Sequence, residues 1–328
     1  MTSRDRVRTR LLILSDTHSA LPGPEYNPAY PWTQPFPPAD VAIHSGDLTS
    51  NGKIEEHKHA VQLLKSLPAP LKIVIPGNHD LTLDRAYCAR IYASHRLLHN
   101  WQESHTAPDL DIAEELYTSQ DAREAGIVYL VEGTHRFRLA NGANLVVYAS
   151  AYTPEFCDWA FAYPREEDRW NTTNTNKPAK PVPSLDFDTS GLITDSPQID
   201  VMITHGPPMG ILDETTSHEH VGCAHLAKAV ERCRPLLHCF GHIHEGWGYQ
   251  RKSWSFDAWK DDFEPRSIGA APAEWGKEQE RDVGYIDATS VQRGEETVFV
   301  NASIMSVAYS PCQKPWIVDL MLHATQLT

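Results

Sequence analysis

Short runs of uninterrupted apolar residues recur along this chain, and several of them stop at a small polar cluster. The runs at 11–15, 41–45 and 71–75 have the length of strands. Having no polar alternation, they read as strands buried on both faces. Between the second and third, Ile54, Ala60, Val61, Leu63, Leu64 and Leu67 recur at helical spacing, which predicts a helix over 54–67 that Pro68 and Pro70 stop. Residues 21–39 carry seven prolines, Pro22, Pro24, Pro28, Pro31, Pro35, Pro37 and Pro38, and read as a stiff irregular loop. The first third is therefore strand, loop, strand, helix, strand, a β-α-β unit. Residues 83–125 read as mainly helical. Strands at 127–131, 137–139 and 145–149 read as a meander, with Asn141-Gly142 as its turn. Further strands are predicted at 201–204, 236–240, 298–300 and 317–320, with a helix over 223–233. The fold class is α/β. Two polar excursions, near 165–196 and 250–295, read as insertions into a single domain spanning 1–328, which shows no internal repeat.

The polar clusters at the strand ends carry the chemistry. They are Asp16-Thr17-His18, Gly46-Asp47, Gly77-Asn78-His79-Asp80, His205 and Gly241-His242-Ile243-His244. Open α/β sheets place their sites at strand C-termini. Asp16 and His18, two residues apart in extended chain, point the same way and can reach one ion; His242 and His244 share that spacing. Asp47, on a glycine turn after a strand, suits a carboxylate shared by two ions about 3.5–4 Å apart. Asn78 adds a neutral amide oxygen. Taken singly, Asp-x-His and Gly-Asp read more readily as ordinary turns and His205 as a structural histidine, while Gly-Asn-His-Asp is a stronger signal against its Asx-cap reading and Gly-His-Ile-His is a reasonable metal hint by itself. Together, in this order, they read as one convergent site for two divalent ions, with mixed oxygen and nitrogen ligation favouring Mn, Fe or Zn over Ca. The other histidines, including His44, His57 and His238, take the ordinary structural reading. So does His218-x-His220, which no strand precedes.

Charge and composition narrow the partners. The net charge of -14 and pI of about 5.6 disfavour binding to a nucleic-acid polymer. They do not oppose a small phosphate ester, since bound cations dominate the local field. Six cysteines without a CxxC pair read as reduced thiols. The polar start, Met1 to Arg10, lacks a signal-length apolar stretch, and the 11–14 run is too short to enter a membrane. The expectation is a soluble cytoplasmic protein, with its oligomeric state left open.

In this order, D-x-H, G-D, G-N-H-D, H and G-H-x-H resemble the calcineurin-like metallophosphoesterase superfamily. SDTHS at 15–19, SGDLTSNG at 45–52, KIVIPGNHDLTLD at 72–84, ITHGPPMGILD at 203–213, VGCAHL at 221–226, RPLLHCFGHIHEGWG at 234–248 and VFVNAS at 298–303 look like one branch of it. That branch comprises the metallophosphoesterase-domain-containing proteins related to class III cyclic nucleotide phosphodiesterases. The resemblance implies a four-layer α/β/β/α sandwich of two mixed β-sheets flanked by helices. It implies one ion held by Asp16, His18, Asp47 and His244 and another by Asp47, Asn78, His205 and His242. It also implies in-line attack on phosphorus by a metal-bridging hydroxide, with His79 protonating the leaving oxygen or stabilising the transition state. The chain departs from the family pattern in three places. Ser50 stands where many members carry the acid that orients the catalytic histidine, making Asp80 a candidate for that role. Roughly 45 residues are inserted after the Gly-His-Ile-His turn, and a Thr- and Asn-rich stretch lies near 170–196.

The leading expectation is a hydrolase of a small phosphate ester, with a cyclic-nucleotide-type phosphodiester favoured by the resemblance. The competing readings are a protein phosphatase, a nuclease, a non-catalytic scaffold, and a biosynthetic enzyme using the ions on a non-phosphate bond. Trp247 and Trp254, at the root of the second insertion, are expected either to stack on a flat group of the substrate or to pack on the body of the domain.

Overall fold

The computed structural model describes residues 5–24, 31–95, 107–171, 198–254 and 283–325. In chain order the strands are β1 (Arg6–Leu14), β2 (Val41–His44), β3 (Leu71–Val74), β4 (Ile127–Tyr129), β5 (Gly133–Arg138), β6 (Asn144–Ser150), β7 (Thr153–Pro154), β8 (Ala162–Tyr163), β9 (Val201–Thr204), β10 (Leu237–Phe240), β11 (Gly248–Ser253), β12 (Gly284–Asp287), β13 (Glu296–Asn301) and β14 (Trp316–His323). The α-helices are α1 (Ile54–Ser66), α2 (Arg85–His95), α3 (Ala107–Thr118), α4 (Gln120–Glu124) and α5 (Ala224–Cys233). Two six-stranded sheets form, ordered β12-β14-β1-β2-β3-β4 and β11-β13-β10-β9-β6-β5. Both are mixed. In the first, only β1 and β14 pair antiparallel; in the second, β5–β6 and β11–β13 do. The short β7 and β8 pair with each other.

The doubly apolar runs explain the layering. Along β1, Leu11 and Ile13 face the second sheet and join Val147, Val201, Leu237 and Val298 in one core. Leu12 and Leu14 face the other way, onto Ala60, Val61 and Leu64 of α1. On the far side, Met202, Phe240 and Phe299 of the second sheet meet Leu226, Ala229 and Val230 of α5. Every central strand thus has two buried faces, the condition that erases alternation from the sequence. Helix, sheet, sheet and helix stack as the expected four-layer sandwich.

Three expectations about elements need correction. First, β1 begins at Arg6 rather than at 11, because its polar half is completed by β14. Arg10 lies opposite Asp319 in register, and both Arg8 and Arg10 reach that buried carboxylate, at 2.6 and 2.9 Å. Second, strands 127–149 are not one meander. β4 extends the first sheet while β5 and β6 belong to the second, so the chain changes layers between Tyr129 and Gly133. Third, the 250–295 excursion is strand at both ends, since β11 and β12 lie inside it on opposite sheets; its interior, 255–282, lies outside the described residues. The start of the 165–196 insertion, through Asn171, is loop as expected, and Trp170 within it has a fully buried side chain that packs with Tyr148 and Tyr163. The rest of the 165–196 insertion, from 172 on, is likewise outside the described residues.

Candidate functional site

The expected ligands gather where the C-terminal ends of β1, β2, β3, β9 and β10 converge. Backbone hydrogen bonds lock the five loops together. Asp16 N donates to Gly46 O at 2.9 Å, His18 N to Asp47 O at 3.1 Å, and Gly241 N to His205 O at 2.9 Å. Ser15 N donates to Ala302 O across the two sheets. Asp16, His18, Asp47 and His242 all hold left-handed backbone conformations, with φ of 51°, 43°, 52° and 67°. Such conformations cost energy in a non-glycine residue, and they cluster where a site over-determines the chain. Close approach also demands glycine at two positions. A Cβ on Gly241 would collide with the Asp16 carboxylate, and one on Gly77 with that of Asp47.

Two donor groups result. The ligand atoms of Asp16, His18 and His244 lie within 4.8 Å of one another, and so do those of Asp47, His205 and His242. Asp47 leans toward both, with Oδ1 3.3 Å from His205 Nε2 and Oδ2 3.7 Å from His18 Nε2. Asn78 Oδ1 lies 2.8 Å from His205 Nε2. The Nδ1 atoms of His18, His205 and His244 each meet a backbone carbonyl, of Thr49, Ser45 and Ser306, at 3.0 Å. That contact places the ring hydrogen on Nδ1 and turns a lone pair on Nε2 toward the centre, as metal-ligating histidines are held.

The electrostatics fit cations. Burial opposes ionisation of both carboxylates, yet the surrounding histidines hold Asp16 and Asp47 well below the usual carboxylate range. Burial disfavours charge on His205, but with no ion bound Asp47 outweighs it and pushes that imidazole up to about 9, through a proton on Nε2 that a bound cation would displace. Burial pushes His18 down, and His242 to about 3. Two buried anions need positive charge nearby. His18 Nε2 is buried without a hydrogen-bond partner. A divalent ion in each group would satisfy both needs, so the residues present fit the ions the motifs imply.

His79 and Asp80 part company. His79 faces the cleft with Nδ1 2.8 Å from the carbonyl oxygen of Ser50. The position where an orienting acid was missing therefore orients the histidine through its backbone, which no side-chain reading detects. The Asp80 carboxylate turns away from the cleft. It accepts from Gly77 N, Leu48 N, Thr49 N and Thr49 Oγ1 at 2.7–3.1 Å. Burial and the nearby Asp47 push it up to about 7, against the pull of those four donors. Its place is to pin the Asp47 loop against the Asn78 turn.

A pocket of about 430 Å³ opens over the two donor groups. Asp47, Asn78, His79, His242 and His244 line its floor, and Phe156, Trp159, Val307 and Tyr309 its walls. Trp247 and Trp254 do not line it. Trp247 stacks on Trp316 at 4.9 Å and donates to Lys314 O. Trp254, at the end of β11, donates to Thr297 Oγ1 and packs on Phe299. Strand β11 runs away from the site at about 3.3 Å per residue, which carries Trp254 out of reach; Trp259 and Trp275 fall outside the described residues. The walls went unread because they lie in loops without a ligand pattern. One signal was present, however: β13 runs parallel to β10, so residues after Asn301 must emerge at the same end. Among them Ser303 donates to Asp16 Oδ2 at 3.0 Å. Five of the histidines given a structural reading, His44, His57, His218, His220 and His238, keep it. His44 and His238 are buried against Thr17 and Thr204, His57 lies between Tyr117 and Thr82, and His218 and His220 pair with Glu214 and Asp213 on the surface side.

Comparison with known proteins agrees with this geometry. The chain is 29% identical over 320 residues to human metallophosphoesterase domain-containing protein 1, covering 95% of this chain and 71% of that one. A Caenorhabditis elegans protein, UPF0046 protein T07D4.2, is 28% identical over 65% of this chain and 48% of its own length. A 247-residue stretch is 32% identical to a protein of Emericella nidulans named probable rhamnogalacturonate lyase C, covering 75% of this chain and 18% of that protein. The family profile described as calcineurin-like phosphoesterase matches residues 9–246, a span that contains every residue of both donor groups. With that match over most of its length, the chain belongs to the calcineurin-like phosphoesterase family.

Proposed function

We propose that this phosphoesterase is a dinuclear enzyme acting on a small phosphodiester of cyclic-nucleotide type. The observation that carries the reading is the shared floor of one pocket. His244 of one donor group and Asp47 and His242 of the other lie there, with their partners Asp16, His18 and His205 buried, Asp47 between the groups and His79 at the edge. Asp16, His18, Asp47 and His244 would hold one ion, and Asp47, Asn78, His205 and His242 the other. Mn, Fe or Zn suits these ligands. When bound, such a pair neutralises a phosphoryl group and activates water at neutral pH. The chain's own residues do the rest. The Ser50 carbonyl fixes His79 at Nδ1, so that Nε2 can carry a proton to the leaving oxygen. The four left-handed residues hold the ligands in advance of substrate. Phe156, Trp159 and Tyr309 offer aromatic faces to a flat group such as a base and exclude water beside His79. A pocket of this size suits a small molecule, and Glu219 and Glu245 on its rim oppose a polyanion.

The test is to load purified protein with Mn, Fe or Zn, count the bound ions, and assay cyclic nucleotides beside linear diesters and monoesters. Two ions per chain and highest kcat/KM on a cyclic nucleotide are expected. Turnover confined to monoesters would remove the diester assignment. At most one ion under metal-replete conditions would remove the dinuclear one.

A further inference from the structure

The segment after β13 makes a tight turn whose construction the ligand pattern does not explain. The carbonyl of Ser306 accepts from His244 Nδ1 at 3.0 Å and from Tyr309 N at 2.9 Å. Ser306 N donates to Ser310 O at 2.8 Å, and Met305 bridges Pro311. At the tip stands Tyr309 with φ 56°, a left-handed conformation that glycine or asparagine adopts easily and an aromatic residue rarely does. Core packing does not account for it, since Tyr309 is 50% exposed. Instead the ring lies over two expected ligands, with centroids 4.8 Å from His18 and 5.4 Å from His244. Its hydroxyl ends 3.3 Å from His79 Nε2. Strain of this kind persists only where the surroundings enforce it, and it clusters at working sites.

We propose that Tyr309 is a positioning residue for His79, an inference that rests on the proposed role of His79 as proton donor. His79 is then held at three points. The Ser50 carbonyl meets Nδ1 at 2.8 Å, Trp159 lies against the ring with centroids 4.0 Å apart, and the Tyr309 hydroxyl meets Nε2. The first two contacts act at Nδ1 and on the ring face, and the His18 ring edge lies 4.8 Å away; the Tyr309 hydroxyl is the contact at Nε2, the atom that does the work. With Nδ1 donating to the Ser50 carbonyl, the proton that His79 passes to the leaving oxygen sits on Nε2, so in that form Nε2 donates to the Tyr309 hydroxyl oxygen. The 3.3 Å separation makes this a long hydrogen bond, which a leaving oxygen can replace when substrate enters. The turn therefore serves both halves of the site from one carbonyl: Ser306 O sets the tautomer of His244 and fixes the tip that aims His79.

Three variants test this. Tyr309→Phe keeps the ring and removes only the hydroxyl. With metal content unchanged, it should lower kcat on an alkyl phosphate ester by about threefold to tenfold, the worth of one hydrogen bond, and leave KM nearly unchanged. In a His79→Ala background the same substitution should cost nothing more. Equal losses in both backgrounds, or no loss in either, would overturn the proposal. A side-chain ¹⁵N–¹H spectrum gives a readout apart from turnover: Tyr309→Phe should move the His79 Nε2 resonance, and an unmoved resonance counts against the contact. Tyr309→Asn relieves the backbone, so its melting temperature should equal or exceed that of the parent while turnover falls. A lowered melting temperature with turnover intact would make Tyr309 a structural residue. The proton-donor role is read separately, by whether His79→Ala loses more on an alkyl ester than on a p-nitrophenyl ester. Equal losses on the two esters would remove that role, and the two-background comparison would still decide whether Tyr309 acts through His79.

Discussion

Asp47 is the residue on which the site turns, because its two oxygens face different histidines, His205 on one side and His18 on the other. Asp47→Asn keeps the shape and removes the charge, so both groups should lose metal together and activity should fall by more than about 100-fold, beyond the usual cost of an outer-shell change. His205→Ala should empty mainly one position. Metal analysis of the two variants side by side checks this; two ions retained by Asp47→Asn would dismiss the bridging role. Outside the site, His238 should contribute to acid stability. Burial beside Phe240 and Phe299 pushes it down to about 3, and Thr204 holds its Nε2 at 2.8 Å. Its folded pKa lies below the unfolded value of about 6.5. The unfolded chain therefore binds the proton first, and stability present above pH 6.5 is lost as pH falls toward 3. His238→Gln keeps a donor for Thr204 without titrating. Acid unfolding followed by circular dichroism should show its midpoint at lower pH than the parent's.

Elements matter here through their ends. The strands deliver ligands only because glycine turns let loops approach within contact of carboxylates. Gly241→Ala would drive a methyl group into Asp16 and Ser15, while His242 N donates to both Asp16 oxygens at 3.0 Å. It should lower stability by about 1–3 kcal/mol and reduce metal content. Gly142→Ala, in the β5–β6 turn at φ 87° with open space around it, should cost only the backbone term of about 1 kcal/mol and leave metal content alone. Thermal unfolding and metal analysis separate the two. Legibility also differed by element. Leu11–Leu14 and Val41–Ile43 announced themselves because burial on both faces leaves an unbroken apolar run. The first half of β1, all of β11 and β12 did not. Their polar residues are satisfied by a neighbouring strand, as Arg10 is by Asp319, and that partner lies more than 300 positions away.

At the scale of the molecule, two sheets press together so that their loops at one end form a single cation-binding floor. Ions bound there stabilise only the folded chain. At 100 times Kd one bound ion should add about 2.7 kcal/mol, so chelation should lower the melting temperature, and Asp47→Asn should blunt the difference. A melting temperature indifferent to Mn, Zn and chelator in the parent chain would show that the groups do not bind them. The residues of the two donor groups were legible in the chain itself, because Asp, Asn and His at strand ends have few other reasons to recur in this order. Fold class was legible too, since apolar runs between helical stretches admit few arrangements. What surrounds the ligands was not. The Ser50 carbonyl that aims His79 is backbone and has no residue signature, and the four-bond anchorage of Asp80 depends on loops meeting in space. Phe156, Trp159 and Tyr309 became pocket walls, while Trp247 and Trp254 were drawn into packing elsewhere. An aromatic ring carries the same letter in either place. Which surface it meets is decided by the course of β11 and by the turn after β13, set by long-range pairing that local pattern does not encode.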